Sequence, residues 1–184
     1  MEALLEIEGG IVGWLNRGIE RSDPLDWAGY LVVSDYFIPL AMSFWMLGLW
    51  FFGQGQSRRG RNQRAVLAAA ISLGFANLAV LLLNQYVFRA RPFTQLELAT
   101  LFYEPTDSSF PANPAAVAFA VATAVWLGNR RATLMLFGMA VLWSFVRVYS
   151  GLFYPTDILA GGLIGAAVAY LVTVGLRRIE PVPT

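Results

Sequence analysis

Long apolar stretches punctuated by arginines leave this chain few ways to fold. Runs at about 36–52, 65–87, 114–127, 133–148 and 158–176 carry almost no charge, and arginines gather just after the first, third and fifth. Backbone amides and carbonyls cannot be left unpaired in hydrocarbon, so runs of this length enter a bilayer as helices. Hydrophobic residues make up 57% of the chain and charged residues only 14%, whereas a soluble domain carries about a quarter charged. The reading is an all-α, polytopic membrane helical bundle of about five transmembrane helices.

The length fits one membrane domain over 1–184, with an interfacial helix at 1–22 and a transmembrane bundle at 30–178. Near the N-terminus, Leu4, Leu5, Ile7, Ile11, Val12, Leu15 and Ile19 recur at roughly helical spacing, with Glu6, Arg17, Glu20 and Arg21 between them. That pattern predicts an amphipathic helix in the membrane interface anchored by Trp14, or with equal weight an accessory helix packed on the bundle. Ser22-Asp23-Pro24 reads as a helix stop and fresh N-cap. A removable signal peptide is not expected, because no short apolar region with a small-residue cleavage site precedes the first span. Residues 53–64 read as a polar, arginine-rich loop, and 89–113 as a long loop carrying Pro92, Pro105 and Pro111. Loops of that length are usually functional or disordered. The third and fourth spans are short for a hydrocarbon layer of ~30 Å, so their loop ends are expected in a protein-lined recess.

The arginine clusters set an orientation. Arg58, Arg59, Arg61 and Arg64, then Arg130 and Arg131, then Arg177 and Arg178 all fall on one side of a five-span bundle, and positive charge marks the cytoplasmic side. The N-terminal helix and the loops at 89–113 and 149–157 then lie on the outer side, which brings Arg91, Arg147 and Asp157 together near the outer face. The expected location is a bacterial inner membrane with this site facing the periplasm.

Composition also removes chemistry. The chain has no cysteine and no histidine, and every basic residue is an arginine. Disulfides, thiolate metal sites, Schiff bases and the usual neutral-pH acid–base group are therefore excluded. No cofactor or metal is expected. A net charge of +1 gives no reason to expect nucleic acid.

Three segments converge on the outer recess: NQYVFRARP at 84–92, SSFPANP at 108–114 and VRVYSGLFYPTD at 146–157. In their order and spacing they resemble the type 2 phosphatidic acid phosphatase superfamily of membrane lipid phosphatases, whose pattern is K-x6-R-P, then P-S-G-H, then S-R-x5-H-x3-D. The resemblance extends over about 22–176 and implies that family's helical bundle. Arg91 and Pro92 occupy the Arg-Pro of the first motif, with Asn84 at the Lys position. Pro111 keeps the start of the second, while Ala112, Asn113 and Pro114 stand at Ser, Gly and His. Arg147 and Asp157 are retained in the third, with Val146 at the Ser and Phe153 at the His.

In such a family the third-motif His attacks phosphorus, its Asp orients the ring, and the second-motif His protonates the leaving oxygen. Phe153 has no lone pair to attack with, and Pro114 has no N–H to donate. The resemblance thus implies a member with no catalytic residues in the inherited sense. Arg91 and Arg147 can still fork onto phosphate oxygens, with Asn84 and Asn113 as neutral donors and Asp157 beside them. These five residues are the candidate lipid-binding set. The competing structural reading pairs Arg147 with Asp157 as an ion pair. Gly161, Gly162, Gly165 and Ala166 form a small-residue face on the last span, suited to close helix packing. The expected partners are membrane lipids, a phosphorylated lipid among them. Two alternatives stand: an assembly subunit that contacts other membrane proteins, and a divergent lipid phosphate phosphatase.

Overall fold

The computed structural model describes residues 2–19, 23–52, 55–101 and 103–179. It is all-helical over the described residues: α1 (Glu2–Asn16), α2 (Asp23–Val33), α3 (Phe37–Phe51), α4 (Gln56–Asn84), the single turn α5 (Pro92–Gln95), α6 (Asn113–Gly128), α7 (Arg130–Tyr149) and α8 (Pro155–Ile179). Helices α4, α7 and α8 are each long and apolar enough to cross a membrane. α2 and α3 pass that test only as a pair, bent by 61° between them. The chain is an integral membrane protein.

Helix α6 is the exception and the centre. Its 16 residues rise about 24 Å, short of the ~30 Å of hydrocarbon. It escapes the mismatch because it runs through protein, packed against α4, α7 and α8, with Ala115, Ala116, Ala120, Val121 and Val125 all buried. Small side chains let the neighbours close in. A Cβ at Gly161 would lie 2.3 Å from the Ala112 carbonyl oxygen, and one at Gly165 would lie 2.0 Å from that of Ala116. The small-residue face foreseen on the last span is therefore the seam along which α8 meets the α6 backbone. The short third span starts inside the protein, as its length required: Ala112 and Pro111, just ahead of it, are buried.

Two expectations change and a third gains detail. The arginine-rich stretch at 53–64 is not a loop: from Gln56 onward it forms the first turns of α4. The first span is preceded by α2, and the kink between α2 and α3 is held by Ser34, whose hydroxyl donates to Leu31 O at 2.6 Å and accepts from the Phe37 amide at 3.2 Å. Third, α1 packs on the bundle, as the accessory-helix alternative has it. Glu8, Val12 and Asn16 form its buried stripe, continued by the buried Ile19 just past its end, while Trp14 on the other face is exposed. The Asn16 amide donates to Ala99 O at 2.8 Å and to Tyr149 O at 3.2 Å, tying α1 to the 96–99 segment and the end of α7. Of the predicted stop after α1, residues 20–22 lie outside the described residues, and Asp23 and Pro24 already belong to α2.

The helices alternate in direction, so Asn84, Asn113, Tyr149 and Pro155 collect at one end of the bundle and Gln56, Gly128, Arg130 and Ile179 at the other. The arginine clusters of α4, α7 and α8 do share one end, as their spacing predicted. Asn129 in the α6–α7 turn donates to Asn62 of α4 at 2.9 Å there.

Candidate functional site

Arg89, Arg91 and Arg147 at the other end each meet a carboxylate, in a pairing that proximity along the chain did not predict. Arg147 comes from the last turn of α7 and is 2% exposed. Its Nη2 donates to Oδ1 of Asp35, the residue that the α2–α3 kink projects toward it. Tyr103 donates to the other Asp35 oxygen at 3.0 Å. Burial, then the Asp35 charge, push the Tyr103 phenol above its ordinary 10.0, so it stays a donor at neutral pH. Arg147 Nε is buried and has no hydrogen-bond partner among the described residues.

Arg91 precedes α5 and is 4% exposed. Its Nη2 donates to Asp107 Oδ1 at 2.8 Å, its Nε to Asp107 O at 3.1 Å and its Nη1 to Leu152 O at 3.0 Å. The guanidinium lies 4.4 Å above the Phe153 ring. Phe153 therefore serves as a cation–π platform for the buried Arg91.

Asp157 opens α8 and is fully buried. The predicted Arg147–Asp157 pair is not formed. Asp157 Oδ2 accepts from the Tyr154 amide at 2.9 Å, and Oδ1 accepts from Arg89 Nη1 at 2.5 Å. The same Arg89 donates through Nη2 to Glu8 of α1 at 2.7 Å and lies 4.1 Å over the Tyr154 ring. Glu8 also accepts from the Thr156 amide at 2.9 Å. Burial pushes the Glu8 carboxyl up, but the Thr156 and Arg89 hydrogen bonds outweigh it and leave the group below its ordinary value of 4.5. Arg89 thus supplies the positive charge that balances the buried Asp157. It does so with a group that stays protonated and cannot act as a nucleophile.

The two asparagines do not join the arginines. Asn113 Nδ2 donates to Asn77 Oδ1 of α4 at 2.9 Å, and its own Oδ1 is buried without a partner. Asn84 Oδ1 is likewise buried and unpartnered among the described residues. Pro114 sits in the first turn of α6, where a missing N–H costs nothing. Sequence reasoning missed Glu8, Asp35, Arg89 and Asp107. For Glu8 a signal existed: it lies four residues before Val12 on the stripe that includes Ile19, so an acid occupied a core position. Asp35 and Asp107 carried no such mark, because their partners lie 112 and 16 residues away. No group of three or more acids able to hold a metal exists among the described residues.

An alanine-lined central helix, with three motif segments gathered at one end and arginines in two of them, defines a lipid-phosphatase-like membrane bundle. The PAP2 superfamily description matches residues 65–180. Among curated proteins the chain is 32% identical over 142 residues to the undecaprenyl-diphosphatase BcrC of Bacillus subtilis (strain 168), covering 76% of this chain and 69% of that one. It is 25% identical over 117 residues to the bacitracin transport permease protein BcrC of Bacillus licheniformis, covering 63% of this chain and 58% of the relative. Among solved structures, a transmembrane PAP2-type phosphatidylglycerolphosphate phosphatase from Bacillus subtilis superposes with a TM-score of 0.71 at 20% identity, covering 100% of this chain and 90% of its own. LpxE of Aquifex aeolicus gives 0.66 at 24%, covering 89% and 92%. The chain belongs to the PAP2 superfamily.

Proposed function

We propose that this protein is a catalytically inactive PAP2 member that binds a phosphorylated membrane lipid through Arg91 and Arg147. One observation carries the reading. Two buried guanidiniums flank Leu152, whose carbonyl accepts from Arg91 and whose amide donates to the Arg147 carbonyl, yet their countercharges come from the more exposed carboxylates of Asp35 and Asp107, whose side chains are 39% and 67% exposed. A buried arginine needs an anion, and a carboxylate on a bend or loop is one that a lipid phosphate can displace. The unpartnered Nε of Arg147 adds a donor that the present arrangement leaves unused.

Catalysis lacks its parts. Phe153 lies beneath Arg91, and both Asp157 oxygens are engaged, one of them by Arg89. Arginine cannot act as a general base. Following the orientation set by the arginine clusters, the ligand site faces the outer side of a bacterial inner membrane. The relative named as an undecaprenyl-diphosphatase makes a polyprenyl diphosphate the first ligand to test.

The test is native mass spectrometry of the protein extracted from its own membrane, alongside phosphate release from undecaprenyl diphosphate. A phosphorylated lipid should co-purify and be lost in Arg91→Ala/Arg147→Ala, with no phosphate released. Phosphate release abolished by Asp157→Asn would establish a divergent phosphatase instead. A stoichiometric protein partner with no such lipid would make the fold a scaffold.

A further inference from the structure

The opposite end of the bundle holds a cleft of about 730 Å³ lined by Phe52, Arg58, Arg61, Asn62, Arg130 and Arg131, with Gly128, Asn129 and Ala132 at its floor. We infer that this cleft is a second anion site, one that takes the phosphate of an anionic phospholipid headgroup from the membrane leaflet at that end.

Charge is the first reason. Arg58 and Arg61 stand one turn apart on α4, so they share a face, and Arg130 and Arg131 begin α7 across the cleft. None of the four has a salt-bridge partner among the described residues. Among the described residues, the segments that reach this end offer none: 36–96, 108–156 and 158–179 contain no Asp or Glu. Four arginines on facing walls without a countercharge repel one another unless an anion sits between them.

The walls are also ordered. Asn62 is 7% exposed and accepts from Asn129 at 2.9 Å, which fixes the α4 wall to the α6–α7 turn. Arg130 lies 5.3 Å over the Trp126 ring, so its guanidinium is held. Both α4 and α7 start at the cleft with no acidic residue in their first turns, so two positive helix ends add to the field.

The membrane decides the source of the phosphate. Phe51, Phe52 and Trp126 are exposed at this end, and aromatic residues of that kind sit at headgroup level. A cleft at that depth meets lipid phosphates at far higher local concentration than soluble ones, and each arginine near an anionic surface gains about fivefold in affinity. This site is independent of the Arg91–Arg147 reading, and either can fail alone.

The experiment compares lipids retained by full-length protein from nanodiscs of mixed phosphatidylcholine and phosphatidylglycerol, read by native mass spectrometry. Phosphatidylglycerol should be enriched on the wild type, and Arg58→Gln/Arg61→Gln/Arg131→Gln should lower that enrichment by at least ~10-fold. The charge-matched Arg59→Gln/Arg64→Gln/Arg178→Gln should lower it less than about twofold, since diffuse charge is screened. Should the cleft triple not purify, Arg58→Gln and Arg131→Gln, one from each wall, each show a partial loss. Equal losses in both triples would overturn the site and leave only net charge. Binding of inorganic phosphate that strips the lipid would assign the cleft to a soluble anion and overturn the headgroup. Loss of phosphatidylglycerol in Arg91→Ala/Arg147→Ala, with the cleft triple unaffected, would place retention at the other end.

Discussion

The two ends of this bundle use the same residue in opposite ways. At the motif end, Arg89, Arg91 and Arg147 each meet a carboxylate, and Arg89 meets two of them. At the far end, Arg58, Arg61, Arg130 and Arg131 meet none among the described residues. The difference follows from burial. A guanidinium that is nine-tenths or more buried, as Arg91 and Arg147 are, cannot stand without an anion, because removal from water is not otherwise offset. Arginines left at a membrane surface keep their water and need no internal partner. Pairing therefore marks the buried motif end, and an unmatched surplus marks the far end.

The sharpest consequence is at Arg89. Arg89→Ala strands both Glu8 and Asp157, whose side chains are 3% and 0% exposed. Losing the shared partner of buried carboxylates costs about 3–5 kcal/mol, so thermal unfolding in detergent should shift far more than for any single far-end arginine. An unchanged midpoint would mean that the triad does not hold the end together. The next largest effect is on binding. Asp35→Asn/Asp107→Asn removes the carboxylates that the proposed lipid phosphate would displace. Because a half-exposed pair is worth up to about 1 kcal/mol, retention of phosphorylated lipid should rise on the order of fivefold. A fall would show that these carboxylates order the arginines rather than block them.

How much of this was legible in the sequence follows from the range of the interactions. The apolar runs, the small-residue seam at Gly161 and Gly165, and the sharing of one end by the arginine clusters are periodic or local features and emerge as helices, seam and shared end, although the first run reaches membrane length only together with α2 and the fourth, read as short, is the full-length α7. The family was legible because Arg91, Pro92, Pro111, Arg147 and Asp157 keep their spacing. The pairings were not. Arg147 and Asp157 are close in sequence, yet Arg147 ends α7 facing the α2–α3 kink, whereas Asp157 opens α8 facing α1 and Arg89. Neighbours along a chain that turn into different helices need not meet. The role of α1 was likewise ambiguous, since an apolar stripe reads the same against lipid as against protein. Only the acid at Glu8, on that stripe, argued for protein.

Acidity gives a smaller effect confined to the motif end. Glu8 titrates below its ordinary 4.5 in the folded protein, so it contributes stability that is complete above about pH 4.5 and lost as pH falls through its folded value. The groups facing it are Arg89, the Thr156 amide and, through Arg89, Asp157. Protection of α1 amides, corrected for intrinsic exchange, should therefore fall as pH drops below 4.5 in the wild type, and Glu8→Gln should be poorly protected already at neutral pH. Equal protection of α1 at pH 7 and below pH 4.5 would mean that Val12 and Asn16 alone dock the helix.

The smallest effect belongs to the far end, where the comparison makes its strictest demand. Arg59 and Arg64 lie on α4 near the cleft without lining it, and both are exposed. Neutralising one exposed arginine without a partner removes no contact, so Arg59→Gln and Arg64→Gln should each change stability by less than about 0.5 kcal/mol. Together they should not alter unfolding in zwitterionic detergent. In anionic detergent the pair should still bind slightly less, because surface charge attracts anions even where no site is built. A clear loss of stability from either variant would reveal a hidden carboxylate partner at this end. Burial would then no longer explain why only the motif-end arginines are matched.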